Sequence, residues 1–142
     1  MAFGPSKKGG VDRIADLTKG VSDYFYASIK DKDHGKLDGA IRTSVILKGE
    51  YVELLQKESE VKTIAGKALA ASLRAAITDI SLKIEALKAL RENDRLNNFA
   101  IAAEESTNVH AFAFRAENIL GNKEWGEKLA EWYMGMPTTL QK

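Results

Sequence analysis

The stretch DKDHGKLDG, Asp31 to Gly39, comes closest to metal chemistry in this chain. Aspartates alternate with other residues, glycines follow, and a helical pattern lies on either side. A calcium loop of the EF-hand type needs oxygen ligands at positions 1, 3 and 5, a glycine at 6 and a bidentate Glu at 12. Counting from Asp31 places Asp33 third, but Gly35 fifth, Lys36 sixth and Arg42 twelfth. Counting from Asp33 places Gly35 third, Leu37 fifth and Ser44 twelfth. Neither register supplies the ligands, and Lys32, Lys36 and Arg42 oppose a cation. The stretch reads instead as an interhelical loop with Asp caps and glycine turns.

The other chemical constellations are weaker. A di-iron bundle site takes Glu-x-x-His pairs on inward-facing helices. Glu104 and Glu105 stand six and five residues before His110, across the break expected at ESTN, and His34 falls in the loop. Ser106, Glu105 and His110 are neighbours in sequence, but a catalytic triad is defined by spatial geometry and an oxyanion hole. Ser106, Thr107 and Asn108 suit helix capping better. No glycine-rich phosphate loop is present, and KKGG near the N-terminus reads as part of a flexible arm. The expectation is a non-enzymatic chain with no catalytic residues, no metal and no cofactor.

Two interaction signals remain. Lys88, Arg91 and Arg95 recur at steps of three and four, a basic stripe that could meet phosphate or an acidic protein. Glu92 and Asp94 interleave with it, as on an ordinary solvated face. The second signal is aromatic: Trp125, Leu129, Trp132 and Tyr133 gather on one short C-terminal helix. Such a payload either closes the chain's own core or docks into a groove on another chain.

These residues need elements to hold them. The chain has 142 residues, 44% apolar and 29% charged, which suits one globular domain. Its net charge of +1 is no electrostatic footprint for nucleic acid. With no Cys there are no disulfides, thiolate nucleophiles or zinc clusters, a composition that fits a reducing compartment. The opening MAFGPSKKGG lacks the apolar run of a secretory signal, and FAIAA, the longest apolar run, cannot cross a membrane. A soluble, cytoplasmic protein with no membrane contact is expected.

Prolines occur only at Pro5 and Pro137, so the chain between them can be helix throughout. Residues 1–10 read as a flexible N-terminal arm, 11–136 as one helical-bundle domain and 137–142 as a tail. Val11, Ile14, Leu17, Val21, Tyr24, Phe25 and Ile29 mark an amphipathic helix, which Gly20 could split with Ser22 capping the second piece. Leu37, Ile41, Val45, Tyr51, Val52 and Leu55 mark another. Over 43–53 a hairpin turning at Lys48-Gly49 competes with helix, but Lys-Gly is a weak turn and no further strand is available to extend a sheet.

Leu73, Ile77, Ile80, Ile84 and Leu87 form a heptad seam in a long central helix. Traced back through Ala70, Gly66 and Thr63 the seam loses apolar character, consistent with a turn near 57–62 or with one longer helix. RENDRLNN and ESTN read as breaks. Gly121 is placed as a helix C′ residue and Asn122 as the cap of a final helix over 123–134.

The reading is all-α: an antiparallel helical bundle of about five or six helices with one long central helix. The function it suggests is an interaction or assembly protein (structural subunit, adaptor or chaperone-like) that self-associates through the seam or the last helix, with a protein partner or a homo-oligomer. The alternative is a small nucleic-acid-associated subunit using Lys88, Arg91, Arg95 and the Lys7–Lys8 arm.

Overall fold

The computed structural model describes residues 10–58 and 62–138. The chain order is α1 (Gly10–Asp31), α2 (His34–Glu58), α3 (Ile64–Leu90), α4 (Arg95–Glu105), α5 (Val109–Leu120) and α6 (Lys123–Met134). The fold is an all-α bundle, and no strand occurs among the described residues. The expected arm, residues 1–10, lies outside the described residues except for Gly10, which opens α1.

Local chemistry sets the helix ends. Thr63, Asn108 and Asn122 are extended and accept hydrogen bonds from Gly66 N, Ala111 N and Trp125 N, satisfying backbone donors that a first helical turn leaves orphaned. Gly121 (φ 68°) and Gly135 (φ 66°) stop α5 and α6 in the left-handed region, where a Cβ would be strained. Both RENDRLNN and ESTN are breaks, with Asn93 (φ 53°) turning the chain between α3 and α4. Thr63 starts α3 as a helix separate from α2.

Three local expectations are corrected. Gly20 does not split α1; it passes Thr43 of α2, and a Cβ there would stand 3.6 Å from the Thr43 methyl group. The loop over Asp31–Gly39 shrinks to Lys32 and Asp33. Lys32 (φ 53°) reverses the chain, and Asp33 Oδ1 accepts from the Gly35 and Lys36 amides, so α2 begins at His34. Gly35 and Gly39 are helical rather than turn residues. A Cβ at Gly39 would come within 2.7 Å of the Tyr24 ring, so this glycine lets α1 and α2 approach closely.

The inward face of α2 is also rotated from the expected stripe. Leu37, Ala40, Ser44 and Leu47 are buried, while Val45 is 50% exposed. Two small residues, Ala40 and Ser44, take interior positions where α2 is flanked by two neighbours. The candidate hairpin over 43–53 is continuous helix.

The first three helices run up, down and up. Arg13 pairs with Glu50 near one end of α1 and α2, and Gly39 faces Tyr24 towards the other. Helix α2 packs against α1 on one side and α3 on the other. At the end where α1 and α3 finish, α4, α5 and α6 close over this layer. Phe25, Ile29, Leu37, Leu87, Leu90, Leu96, Phe99, Phe112 and Leu129 form the main core there. A smaller cluster of Val21, Leu47, Ile80 and Ile84 continues towards the opposite end. Of the expected seam, Leu73, Ile80, Ile84 and Leu87 are buried and Ile77 is half-buried; Ala70 and Gly66 extend it inward with small side chains.

Helix α6 needs two special contacts. A Cβ on Gly126 would fall 2.7 Å from Glu117 Cα and 2.8 Å from the Ala116 carbonyl carbon, so α5 and α6 touch backbone to backbone at this point. Trp132 stacks on Phe25 with centroids 4.0 Å apart and planes 13° from parallel. Tyr133 meets Phe25 and Phe112 edge-on, and the Tyr26 hydroxyl donates to the Trp132 carbonyl at 3.1 Å.

Candidate functional site

The residues with chemical potential are dispersed by the fold. Asp31 bonds Lys36 at 2.7 Å, and that hydrogen bond and charge hold its carboxyl below the usual range. Asp33 caps α2. Both aspartates therefore have structural work at the α1–α2 turn. The Ser106 hydroxyl is buried and makes no hydrogen bond, so it engages neither His110 nor Glu105. Glu105 bonds Arg115 at 2.8 Å. Among the described residues no group of three or more His, Asp or Glu is placed to hold a metal ion. No helix among them is long and apolar enough to cross a membrane.

The basic stripe is divided among carboxylates. Lys88 lies 3.8 Å from Glu85, and Arg91 pairs with Asp38 of α2. Arg95 lies 3.8 Å from Glu92 and donates to the Ala89 carbonyl. The aromatic helix faces inward: Leu129 is fully buried, and Trp125, Trp132 and Tyr133 pack on the main core. Burial pushes the Tyr133 phenol up, with the Glu104 charge and Tyr26 adding to it.

What the sequence did not single out is a groove between α1 and α3. Thr18, Val21 and Ser22 form one wall and Ala76, Asp79, Ile80 and Lys83 the other. Leu47 and Tyr51 of α2 make the floor, and Trp132 of α6 blocks one end. The enclosed part has a volume of ≈ 70 Å³, far below the several hundred Å³ of a small-molecule pocket. Beyond it the facing surfaces of α1 and α3 continue along both helices. Helical spacing carries the α1 wall on to Ala15 and Val11, and the α3 wall to Ser72, Leu69 and Ala65. All five of these residues are exposed. Val11 is 72% exposed, Leu69 41% and nearby Ile64 88%. Ile14, Leu17 and Tyr51 beneath them are only partly covered.

The blocked end is electrostatically fixed. Lys128 and Lys83 reach Asp79 at 2.7 and 2.9 Å. Burial pushes the Asp79 carboxyl up, but the hydrogen bonds and charges of the two lysines together outweigh it and hold the group below its usual range. The Lys83 ammonium also stands 4.6 Å from the Trp132 ring centroid, a cation–π contact that fastens α6 to α3. The periodic signal for the groove was the uncharged step Val11, Ala15, Thr18, Ser22 on α1, matched by Ala65, Leu69, Ser72, Ala76 on α3. It reads as ordinary helix surface until the opposite wall is known.

No protein-family model, curated protein or solved structure matches this chain.

Proposed function

We propose that the chain is a non-enzymatic helical interaction or assembly protein that receives a helix from another chain in the α1–α3 groove. One observation carries this reading: α6 closes the groove at Trp132, and beyond it, among the described residues, Val11 and Ala15 of α1 and Leu69 and Ser72 of α3 are left exposed. A helix laid along that half would extend the bundle by the side-chain packing already used in the other half. The small walls, Ala15, Thr18, Ser22, Ser72 and Ala76, suit close approach of a helix backbone, and helix-in-groove docking is a common recognition mode.

The surfaces first expected to drive self-association, the α3 seam and the aromatic face of α6, are occupied inside the protomer. That favours the groove as the working surface. The ion pairs of Lys88, Arg91 and Arg95 favour a protein partner over nucleic acid, since phosphate would have to displace carboxylates. A photo-crosslinking residue placed at Ser72 tests the reading in extract of source cells, with Arg42 on the outer face of α2 as control. Adducts specific to position 72 are expected; equal patterns at both positions overturn the proposal.

A further inference from the structure

We infer that the outer flank of the α2–α3 pair, the side turned away from α1, receives an acidic amphipathic helix of another protein. The inference is independent of the groove reading, because this flank lies on the far side of α3 from the groove wall. Successive residues turn about 100° around a helix, so the residues that follow Gly66, Leu73, Ile80 and Leu87 share one edge of α3. These are Lys67, Arg74, Ser81 and Lys88. On α2, Gly39, Thr43 and Glu50 face α1, so the opposite edge, with Ile41, Lys48 and Leu55, faces this row. Asp38 and Arg91 close the flank at one end with an ion pair. The antiparallel register of that pair brings Lys48 alongside Ser81 and Leu55 alongside Arg74.

Charge is unbalanced along this flank. Where α2 meets α1, Glu50 answers Arg13. Where it meets α3, beyond the Asp38–Arg91 pair, every charged residue in the two rows is a cation. Lys88 has Glu85 at 3.8 Å, but Lys48, Lys67 and Arg74 have no carboxylate partner among the described residues. From Lys62 to Thr78 the chain holds no Asp or Glu. Lys67 and Arg74 are exposed and Lys48 is half-buried. Beside them stand Val52, Leu55 and Ile77, half-buried, and Val45, 50% exposed. Facing rows of a helix pair commonly exchange opposite charges. These rows lack the acids, and a third helix carrying Glu or Asp supplies them, steering the encounter and fixing the register. Lys67 and Arg74 are seven residues apart, a spacing that acids seven apart on an aligned helix reproduce. The aliphatic side chains between the cations favour an amphipathic protein helix over a phosphate backbone, which offers charge alone. Two copies meeting through this flank would set its cations against like charges.

The test is a display library of amphipathic helical peptides with a fixed Leu/Ala face and Glu, Gln or Lys at each flanking position. It is selected on the full chain and counter-selected on the double variant Lys48→Glu, Arg74→Glu. The variant Lys30→Glu, Lys123→Glu, equal in net charge and changed at exposed sites elsewhere, is the control, and circular dichroism checks the helicity of both. Selected peptides are expected to carry Glu at seven-residue spacing. They should weaken about tenfold on the Lys48, Arg74 variant, as expected for reversing two rim charges, hold their affinity on the control, and weaken with added salt. Failure to select any binder, binders with no Glu preference, or binders weakened equally by both variants would overturn the inference. Binders lost on the groove-filling variant Ala76→Trp but kept on Lys48→Glu, Arg74→Glu would belong to the α1–α3 groove, overturning this inference and leaving the groove reading standing. A short DNA duplex or phosphatidylserine vesicles bound through Lys48 and Arg74 more tightly than any selected peptide would make a phosphate surface the occupant and overturn it as well. So would a concentration-dependent dimer by native mass spectrometry that is lost in Lys48→Glu, Arg74→Glu.

Discussion

The two ends of the α1–α2–α3 layer are built from the same three helices and differ in what covers them. At one end, α4–α6 seal Phe25, Leu37 and Leu90. At the other, Ile14, Leu17 and Tyr51 are half-covered, and Val11, Leu69 and Ile64 face outward. Side-chain size follows the same division. The covered end uses phenylalanines and leucines, which bury large areas. The open half of α3 uses Gly66, Ala70 and a run of exposed alanines, which hold the helix on α2 with little apolar area. Stability is thus concentrated at one end, and the other keeps apolar side chains exposed.

The largest effects should fall at the covered end. Trp132→Ala and Phe99→Ala are each expected to cost about 3–5 kcal/mol of unfolding free energy, as for other large-to-small core changes. Urea unfolding of the two variants checks this. A Trp132→Ala protein as stable as the parent would show that α6 is not part of the core.

Gly126→Ala should cost about 1–3 kcal/mol by overpacking the α5–α6 contact, although Ala is worth roughly 1 kcal/mol more than Gly in helix propensity alone. A rise in melting temperature would mean that the two backbones do not meet at this point.

Smaller again is the contribution of Asp79. Its folded-state pKa is depressed, so its contribution is complete above the unfolded value of about 3.9 and fades as pH falls through the folded value. Asp79→Asn should therefore lower the melting temperature at pH 6 and approach the parent once the pH falls below the depressed folded value. A difference that stays constant across that range would assign the loss to packing.

At the open end, Leu69→Ala and Ile64→Ala should change stability by no more than about 0.5 kcal/mol, the scale of surface substitutions. Amides of 67–73 should exchange with solvent faster than those of 84–90, because opening free energies follow local burial. Equal protection would erase the distinction between the two ends.

Much of the fold was legible because its signals are local. Asn122 and Gly121 delimit α6 and α5 by side-chain and backbone chemistry within a few residues, and the α3 seam shows its period directly. The misreadings arose where the deciding contact is remote. Gly126 looks like a weak spot in a helix until α5 lies against it, and Gly39 looks like a turn until Tyr24 covers it. Ser44 is polar in sequence yet fully buried. The α6 aromatics were readable as an apolar face, but whether they meet their own bundle depended on Phe25 far away. The groove was hidden for a different reason: it lies between α1 and α3, which are distant in sequence, and shows only once both are packed on α2.

The contact between Tyr26 and Trp132 joins residues 106 positions apart. Helix pairs such as α1–α2 and α5–α6 can form from adjacent sequence, whereas this closure requires nearly the whole chain. During synthesis at roughly 5–20 residues per second, Phe25 waits on the order of 5–20 s for the indole that will stack on it. Through that interval α3 and α4 can already pack on the α1–α2 pair, but the face of Phe25 that the indole will cover stays open. The order of emergence from the ribosome therefore makes the first helices the segment most in need of shielding, and the arrival of α6 the event that ends the exposure.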